Sequence, residues 1–521
     1  MSTALNFKDT IDLPKWRNLA QTQTNILNNI GFGCDFRNNE DRHPIIYYCT
    51  GVSSFVGYNT KNNGWLNTSA GIASNPTSYF FMSAQGPRGT IAAGATTSSF
   101  TLTTVLSTAV SVNALANRGD GRGFKVRIVG NAGGSSGKTE ERYIVANTAG
   151  TTPTIYVDTP FSFTPANGDA YEFLSGRVYT LGSANSAGSW KYYDVLTNTS
   201  SGNLSTTNLP ASWTDSTLVG LDELLVPYDR NPGEGFLGIL TATASGATSL
   251  TGQASGGDAG VVADQYRNFQ IRIVRDTATP TAAGQRRNIT THTTGASPVY
   301  TVPAWSVTPS ANAIYVIENN GNRLIAWVAG STQTSTYSIS GDAWDANTTF
   351  AVRPVASAGG SVSVQSFSIE PDVALNTRHS FIFSFRGNGS NTLDLFDIAG
   401  ATTGTWTSAI TYGSQATQEQ FSANSCGTLD PTTMQGRYIY IVLAVSTTAP
   451  QRIYRFDMKN RVLEAYTVLN IFGSNIGVTA PKNIAYTSYI DGTTKLSFII
   501  LVVPNTSASL SHNMFSLPIT R

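Results

Sequence analysis

Residues 121–177 are repeated at 266–323, and this internal duplication restricts the fold more than any other feature of the chain. Phe124, Val126, Arg127, Ile128 and Val129 match Phe269, Ile271, Arg272, Ile273 and Val274 at an offset of 145, and Arg142, Ile144 and Gly150 match Arg287, Ile289 and Gly295 at the same offset. After one deletion the register continues at 144, with Ser162, Thr164, Pro165 and Tyr171 on Ser306, Thr308, Pro309 and Tyr315. FKVRIV and FQIRIV alternate apolar and polar side chains with the period of a strand that buries one face. The Gly- and Pro-containing stretches between such runs supply turns. A duplicated segment reuses one packing solution, so two small β-domains of like structure are expected.

Upstream, GPRGTIAAGATTSSFTL and GFLGILTATASGATSLTG also resemble each other, which places the inserted domains at 84–176 and 235–321. Outside them a second pattern recurs: an aromatic-rich strand, a turn, a strand ending in an aromatic residue and often Asp, a polar turn and a further short strand. RYIYIVLAV followed by QRIYRFDMKNRVLEAYT is the clearest case. Asp194, Asp397 and Asp457 stand at one place in this unit, where a short acceptor can bond to backbone amides of the turn. Trp65, Trp406 and Tyr466 follow, suited to covering the apolar seam between neighbouring sheets. The expected fold is all-β: a β-propeller-like body of about six blades with the two duplicated domains inserted. Residues 1–83 would hold an N-terminal segment and the first blade, 177–234 a blade and linker, and 322–521 the remaining blades. The last blade is one strand short, and TIDLPKWRNL near the N-terminus is the expected completion. Tandem β-sandwiches are the alternative that the same alternation allows. Helix is expected to be scarce, with 16–30 the one segment to consider.

At 521 residues the chain exceeds what one core requires. Charged residues are 12% of it, and the formal net charge is +1, so no global field draws in nucleic acid or anionic lipid. Cys34, Cys49 and Cys426 fit neither a disulfide framework nor a zinc knuckle and are read as incidental thiols. The N-terminus lacks the pattern of an export signal. LSFIILVVP is the length of a buried strand and too short to span a bilayer, so no membrane partner is expected.

Catalytic constellations are not evident. His43, His292, His379 and His512 are scattered, and the position matching His292 in the first copy is Asn147, so the duplicate does not depend on an imidazole. Glu40, Asp41 and His43 read as a solvated turn rather than a cation site. Asp222, Glu223 and Asp229 cluster without a second distinguished acid, and are read as an inter-domain loop rather than the carboxylate pair of a glycosidase. GNAGGSSGKTE resembles a phosphate-binding loop, yet Ala132 stands where the leading glycine belongs, and a strand follows instead of a helix. No catalytic residue, metal ligand or cofactor is therefore assigned. Arg127, Arg142, Arg272 and Arg287 make the duplicated domains locally basic and are candidate interface residues, whether toward acidic neighbours or another subunit. No specific nucleic-acid partner is expected, because neither an aromatic-and-basic strand signature nor a DNA-reading helix is present.

The strings GKTEERYIVANTAGTTPTIYVDTPFSFTPANGDAYEF and GQRRNITTHTTGASPVYTVPAWSVTPSANAIYVIE resemble β-domains of virion proteins from tailed bacteriophages. That resemblance implies a structural virion component of the head or tail accessory type. Such a protein would be a homo-oligomer that binds other virion proteins through loops or sheet edges. It leaves open a receptor- or glycan-binding tail protein, with a host surface glycan as partner, and a propeller-type glycan-active enzyme.

Overall fold

The structure, a computed structural model, describes most of residues 86–182, 188–210, 217–253, 260–367, 379–414 and 426–468, and strands nearer both ends. Among the described residues every regular element is a strand, apart from two short 3₁₀ turns at Ala114–Ala116 and Pro280–Ala282. The fold is all-β. Residues 19–32, which cover nearly all of the one stretch considered for helix, lie outside the described residues.

Six sheets share one plan of four antiparallel strands paired in chain order, except that the fifth gains a parallel strand and the sixth takes its last strand from the other end of the chain. The first holds Gly33–Cys34, Ile45–Thr50, Ser54–Asn59 and Gly64–Gly71. The second holds Pro76–Ser83, Gly176–Gly182, Trp190–Asp194 and Thr199–Ser200. The third holds Thr217–Gly220, Arg323–Trp327, Ser335–Ser338 and Ala343–Trp344. The fourth holds Val362–Phe367, Ser380–Phe385, Thr392–Asp397 and Thr405–Thr411. Cys426–Asp430, Tyr438–Val442, Arg452–Asp457 and Val462–Val468 form the fifth, to which Gly413–Ser414 adds a parallel strand. The sixth contains Asn483–Asp491, Thr494–Val503 and Asn513–Pro518, and its fourth strand is Arg17–Asn18 from the other end of the chain. The opening strands of the six sheets touch in sequence order, and the sixth touches the first.

The duplicated domains leave the body inside sheets, not between them. Pro76–Ser83, expected within the first blade, pairs with Gly176–Gly182, so the first insertion separates the first two strands of one sheet. The second separates Thr217–Gly220 from Arg323–Trp327 in the same way. Adjacency in sequence suggested the other grouping, but cross-strand pairing over a long insertion needs only that the insertion's two ends lie close together.

In the first repeat six strands pair in the order Arg88–Thr90, Ala170–Leu174, Lys125–Val129, Thr139–Asn147, Thr154–Val157, Ser99–Thr101. The Ile91–Leu102 bridge and the bonds Ala92 N to Thr101 O, 2.8 Å, and Thr103 N to Thr90 O, 2.9 Å, close them into a small barrel. In the second repeat the barrel is divided into two four-stranded sheets, because two strands are interrupted. One interruption falls between Arg286–Asn288 and Thr291–His292, where the first repeat carries a bulge between Ile144 and Ala146. Closure removes the free edges through which such a domain could otherwise recruit another chain.

Packing follows the sheets. Tyr179, Trp190, Leu324, Tyr337 and Trp344 fill the seam between the second and third. Val219, Ile325, Trp327, Ile382 and Phe396 fill that between the third and fourth. Each repeat shares its core with the body: Val126, Ile128 and Phe173 join Val178 and Tyr193, and Phe236, Tyr266 and Ile271 join Phe383, Ile439 and Phe456.

Candidate functional site

Lys125–Val129 is buried at all five positions, although its alternation suggested one solvated face. The polar face is covered because the two repeats meet there. Arg127 donates to Glu172 Oε2 at 3.0 Å and to Glu141 Oε1 at 2.8 Å. Glu172, on the facing strand, also receives Arg88 at 2.6 Å and, from the second repeat, Arg286 at 3.0 Å. Arg88 reaches Glu223 at 2.9 Å in the connector between sheet and repeat, and Arg272 holds Glu318 at 3.1 Å. Gln270 bridges Glu318, 2.9 Å, and Glu223, 3.3 Å. Four guanidinium groups thus face four carboxylates across the junction, and the cluster is neutral.

The carboxylates are not equivalent. Burial pushes Glu172 up, but Arg286, Arg88 and Arg127 together outweigh it and hold the group well below the usual carboxylate range. Burial also raises Glu223; Arg286 and Arg88 oppose the rise, Glu318 and Glu172 add to it, and the net shift is upward. Arg286 is raised despite its burial by Glu172, Glu223 and Glu318.

Of the four arginines singled out from sequence, Arg127 and Arg272 therefore serve an internal contact. The two partners lie in distant parts of the sequence, which is why the pairing was not legible there. Arg142 and Arg287 brace their own repeats in matching ways. Arg142 donates to Thr159 O and Pro160 O at 3.1 and 3.3 Å and lies over Phe161. Arg287 donates to Ala304 O at 2.8 Å and lies over Trp305. Glu172 and Glu318 were not singled out; each lies in a strand that reads as ordinary alternation.

The recurring aspartates tie the last turn of a sheet to its neighbouring strand. Asp194 accepts the amides of Leu196, 3.0 Å, and Thr197, 3.4 Å, and takes Arg177 Nε at 3.1 Å. Asp457 accepts the amides of Lys459 and Asn460 at 3.0 and 3.2 Å and pairs with Arg437. Asp397 accepts the amide of Ala399, 2.9 Å, and faces His379 Nε2 at 3.1 Å. Trp406 packs against Phe396 with ring centroids 4.7 Å apart and planes tilted by 34°, and donates to Ala351 O, 3.0 Å, at the seam of the third and fourth sheets. The side chains of Trp65 and Tyr466 lie outside the described residues. So does the stretch 35–44 that contains His43.

At the two ends of the phosphate-loop-like string Gly137 N donates to Gly130 O, 2.9 Å, and Lys138 Nζ lies over the Phe163 ring. Gly137 has φ +70° and lies against Thr277 of the second repeat, where a Cβ would approach Thr277 Cγ2 to 2.7 Å. Among the described residues no group of three or more His, Cys, Asp or Glu side chains is placed to hold a metal ion. No helix there is long and apolar enough to cross a membrane. Beside the charge cluster lies a cleft of about 660 Å³, walled by Glu223 and Arg286 and by residues of the third and fourth sheets.

No family model matches the chain, and comparison with curated proteins gives no match. Among solved structures, a chain of the S. cerevisiae complex of Dbp5 with Nup159, Gle1, IP6 and ADP aligns over 98% of this chain and 95% of its own. It shares 9% identity at a TM-score of 0.27, below the level of a common fold.

Proposed function

We propose that this chain is a structural component of a tailed-phage virion, a six-bladed propeller carrying two small barrels that contact neighbouring virion proteins. The circuit of six like sheets, with each opening strand touching the next, supports the propeller. The N-terminal strand in the sixth sheet would be its closure.

The observation that carries the assembly role is where apolar side chains reach solvent. Among the described residues nine large apolar side chains are exposed, and seven of them sit on the barrels: Val105, Val112, Val145, Tyr156, Ile239, Val262 and Val299. Scattered exposed apolar residues are ordinary; concentration on two rigidly held modules is what a contact surface requires. The buried neutral charge cluster holds the two barrels in one orientation, so that ordering them costs nothing when a partner binds.

Reconstruction of a purified particle that contains the chain tests this reading. Density for a six-bladed ring whose barrels touch other proteins is the expected result, and a chain found only free of particles would overturn it.

A further inference from the structure

We infer that the cleft between the second barrel and the third and fourth sheets is a binding site for an uncharged polyhydroxylated ligand, a short oligosaccharide. The inference does not depend on where the chain sits in a particle. The volume of about 660 Å³ falls among small-molecule sites, which span about 300–1,000 Å³.

Its wall carries four asparagines from three separate segments: Asn268, Asn288, Asn320 and Asn322. A carboxamide offers a donor and an acceptor in one plane, the complement of a sugar hydroxyl, which also does both. These amides are held in place. Asn268 Nδ2 donates to Ile398 O at 2.8 Å and Asn322 Oδ1 receives Ser340 N at 2.7 Å. Unspent capacity remains along the same wall. Asn268 Oδ1, Ser340 Oγ and Thr402 Oγ1 make no hydrogen bond to the described residues.

Charge decides against an anion. Arg286 is answered by Glu172, Glu223 and Glu318, and Arg323 is paired with Asp345. No net positive field is left to draw a phosphate or carboxylate into the cleft. Phe350 also borders the cleft, but it is buried and packed edge-on against Phe396, so polar groups dominate the wall.

The test is saturation-transfer NMR followed by calorimetric titration on the full chain. The probes are neutral hexose and N-acetylhexosamine trisaccharides, with sialyllactose and a galacturonate trimer as charged controls. Ser340→Trp and Thr402→Trp occlude the cleft from two exposed positions that carry no structural hydrogen bond through their side chains. A neutral probe should bind, and both variants should weaken it at least tenfold while keeping the wild-type unfolding temperature. Absence of transfer to every neutral probe, binding unchanged in the two variants, or preference for the charged controls would each overturn the assignment.

Discussion

His292 and Asn147 occupy the same position in the two barrels and make the same two hydrogen bonds with different chemistry. The amide of Leu115 donates to Asn147 Oδ1 at 2.8 Å, and that of Tyr266 to His292 Nε2 at 2.8 Å. On the other side Asn147 Nδ2 donates to Thr148 O, 2.8 Å, and His292 Nδ1 to Thr293 O, 3.0 Å. The surroundings match as well: Asn113 and Asp264 both have positive φ, 58° and 61°, and accept the amides of Asn147 and His292 through their side chains. An imidazole that accepts through Nε2 and donates through Nδ1 must be neutral.

A pH dependence confined to the second barrel follows. Burial lowers the His292 value from 6.5, opposed by the Thr293 carbonyl and by Asp264 and aided by Arg267. The unfolded chain therefore takes the proton first on acidification. The stabilisation is complete above about pH 6.5 and is lost as pH falls through the folded value. A buried Tyr266 amide without an acceptor costs about 1–3 kcal/mol. The protection factor of the Tyr266 amide, its exchange rate corrected for the intrinsic pH dependence, should fall from pH 7 to pH 5, that of Leu115 should not, and His292→Asn should fold normally and erase the difference.

Glu172 and Glu223 should answer differently to neutralisation, although both are buried in one cluster. Glu172 is stabilised as an anion by three arginines, so Glu172→Gln should cost about 3–5 kcal/mol by leaving those charges short of a partner. For Glu223 the raised value means the folded state resists ionisation, so Glu223→Gln should change stability by less than about 1 kcal/mol. The same signs set the response to acid. The Glu172 contribution is present above its unfolded value, 4.5, and is lost as pH falls through its lower folded value. That of Glu223 favours folding below 4.5 and is lost as pH rises through its folded value. Urea unfolding of the two variants at pH 7 separates the cases; equal losses would contradict the asymmetry.

The turn aspartates were legible in sequence because turn chemistry is local: an acceptor two or three residues before the amides it receives recurs visibly in YYDVL, LFDIA and RFDMK. The repeats were legible for the same reason, since strand alternation and shared register survive in the string. The junction was not. Arg127 reads as the outward residue of FKVRIV, and only the approach of Arg286, 159 positions away, covers that face. Barrel closure was hidden likewise, because Ile91 and Leu102 meet through a bridge of one residue pair. Long-range pairing decides both, and one chain's local pattern does not encode it.

Asp457 allows the turn and the ion pair to be separated. Asp457→Ala removes the acceptor for the amides of Lys459 and Asn460 and the partner of Arg437, whereas Asp457→Asn keeps a neutral acceptor for the turn. The alanine variant should lose about 2–4 kcal/mol and the asparagine variant about half of that, read from denaturant midpoints at constant m. Equal losses would mean that the Arg437 pair, not the turn, accounts for the effect.

The strand at Arg17–Asn18 offers the most direct test of closure. It pairs Arg17 with Ser516 and Asn18 with Phe515, and among the described residues Asn513–Pro518 has no other partner on that side. A chain lacking residues 1–20 would expose the edge of a strand whose other neighbour, Thr494–Val503, is strongly apolar. Unpaired edges of this kind template association. The truncated chain should unfold several degrees lower, by the order of 1–2 kcal/mol, and should form concentration-dependent oligomers in light scattering. A peptide of residues 10–20 added in trans should suppress both effects. If the truncated chain stays monomeric with an unchanged unfolding temperature, the sixth sheet does not need its N-terminal strand, and the closure proposed above fails.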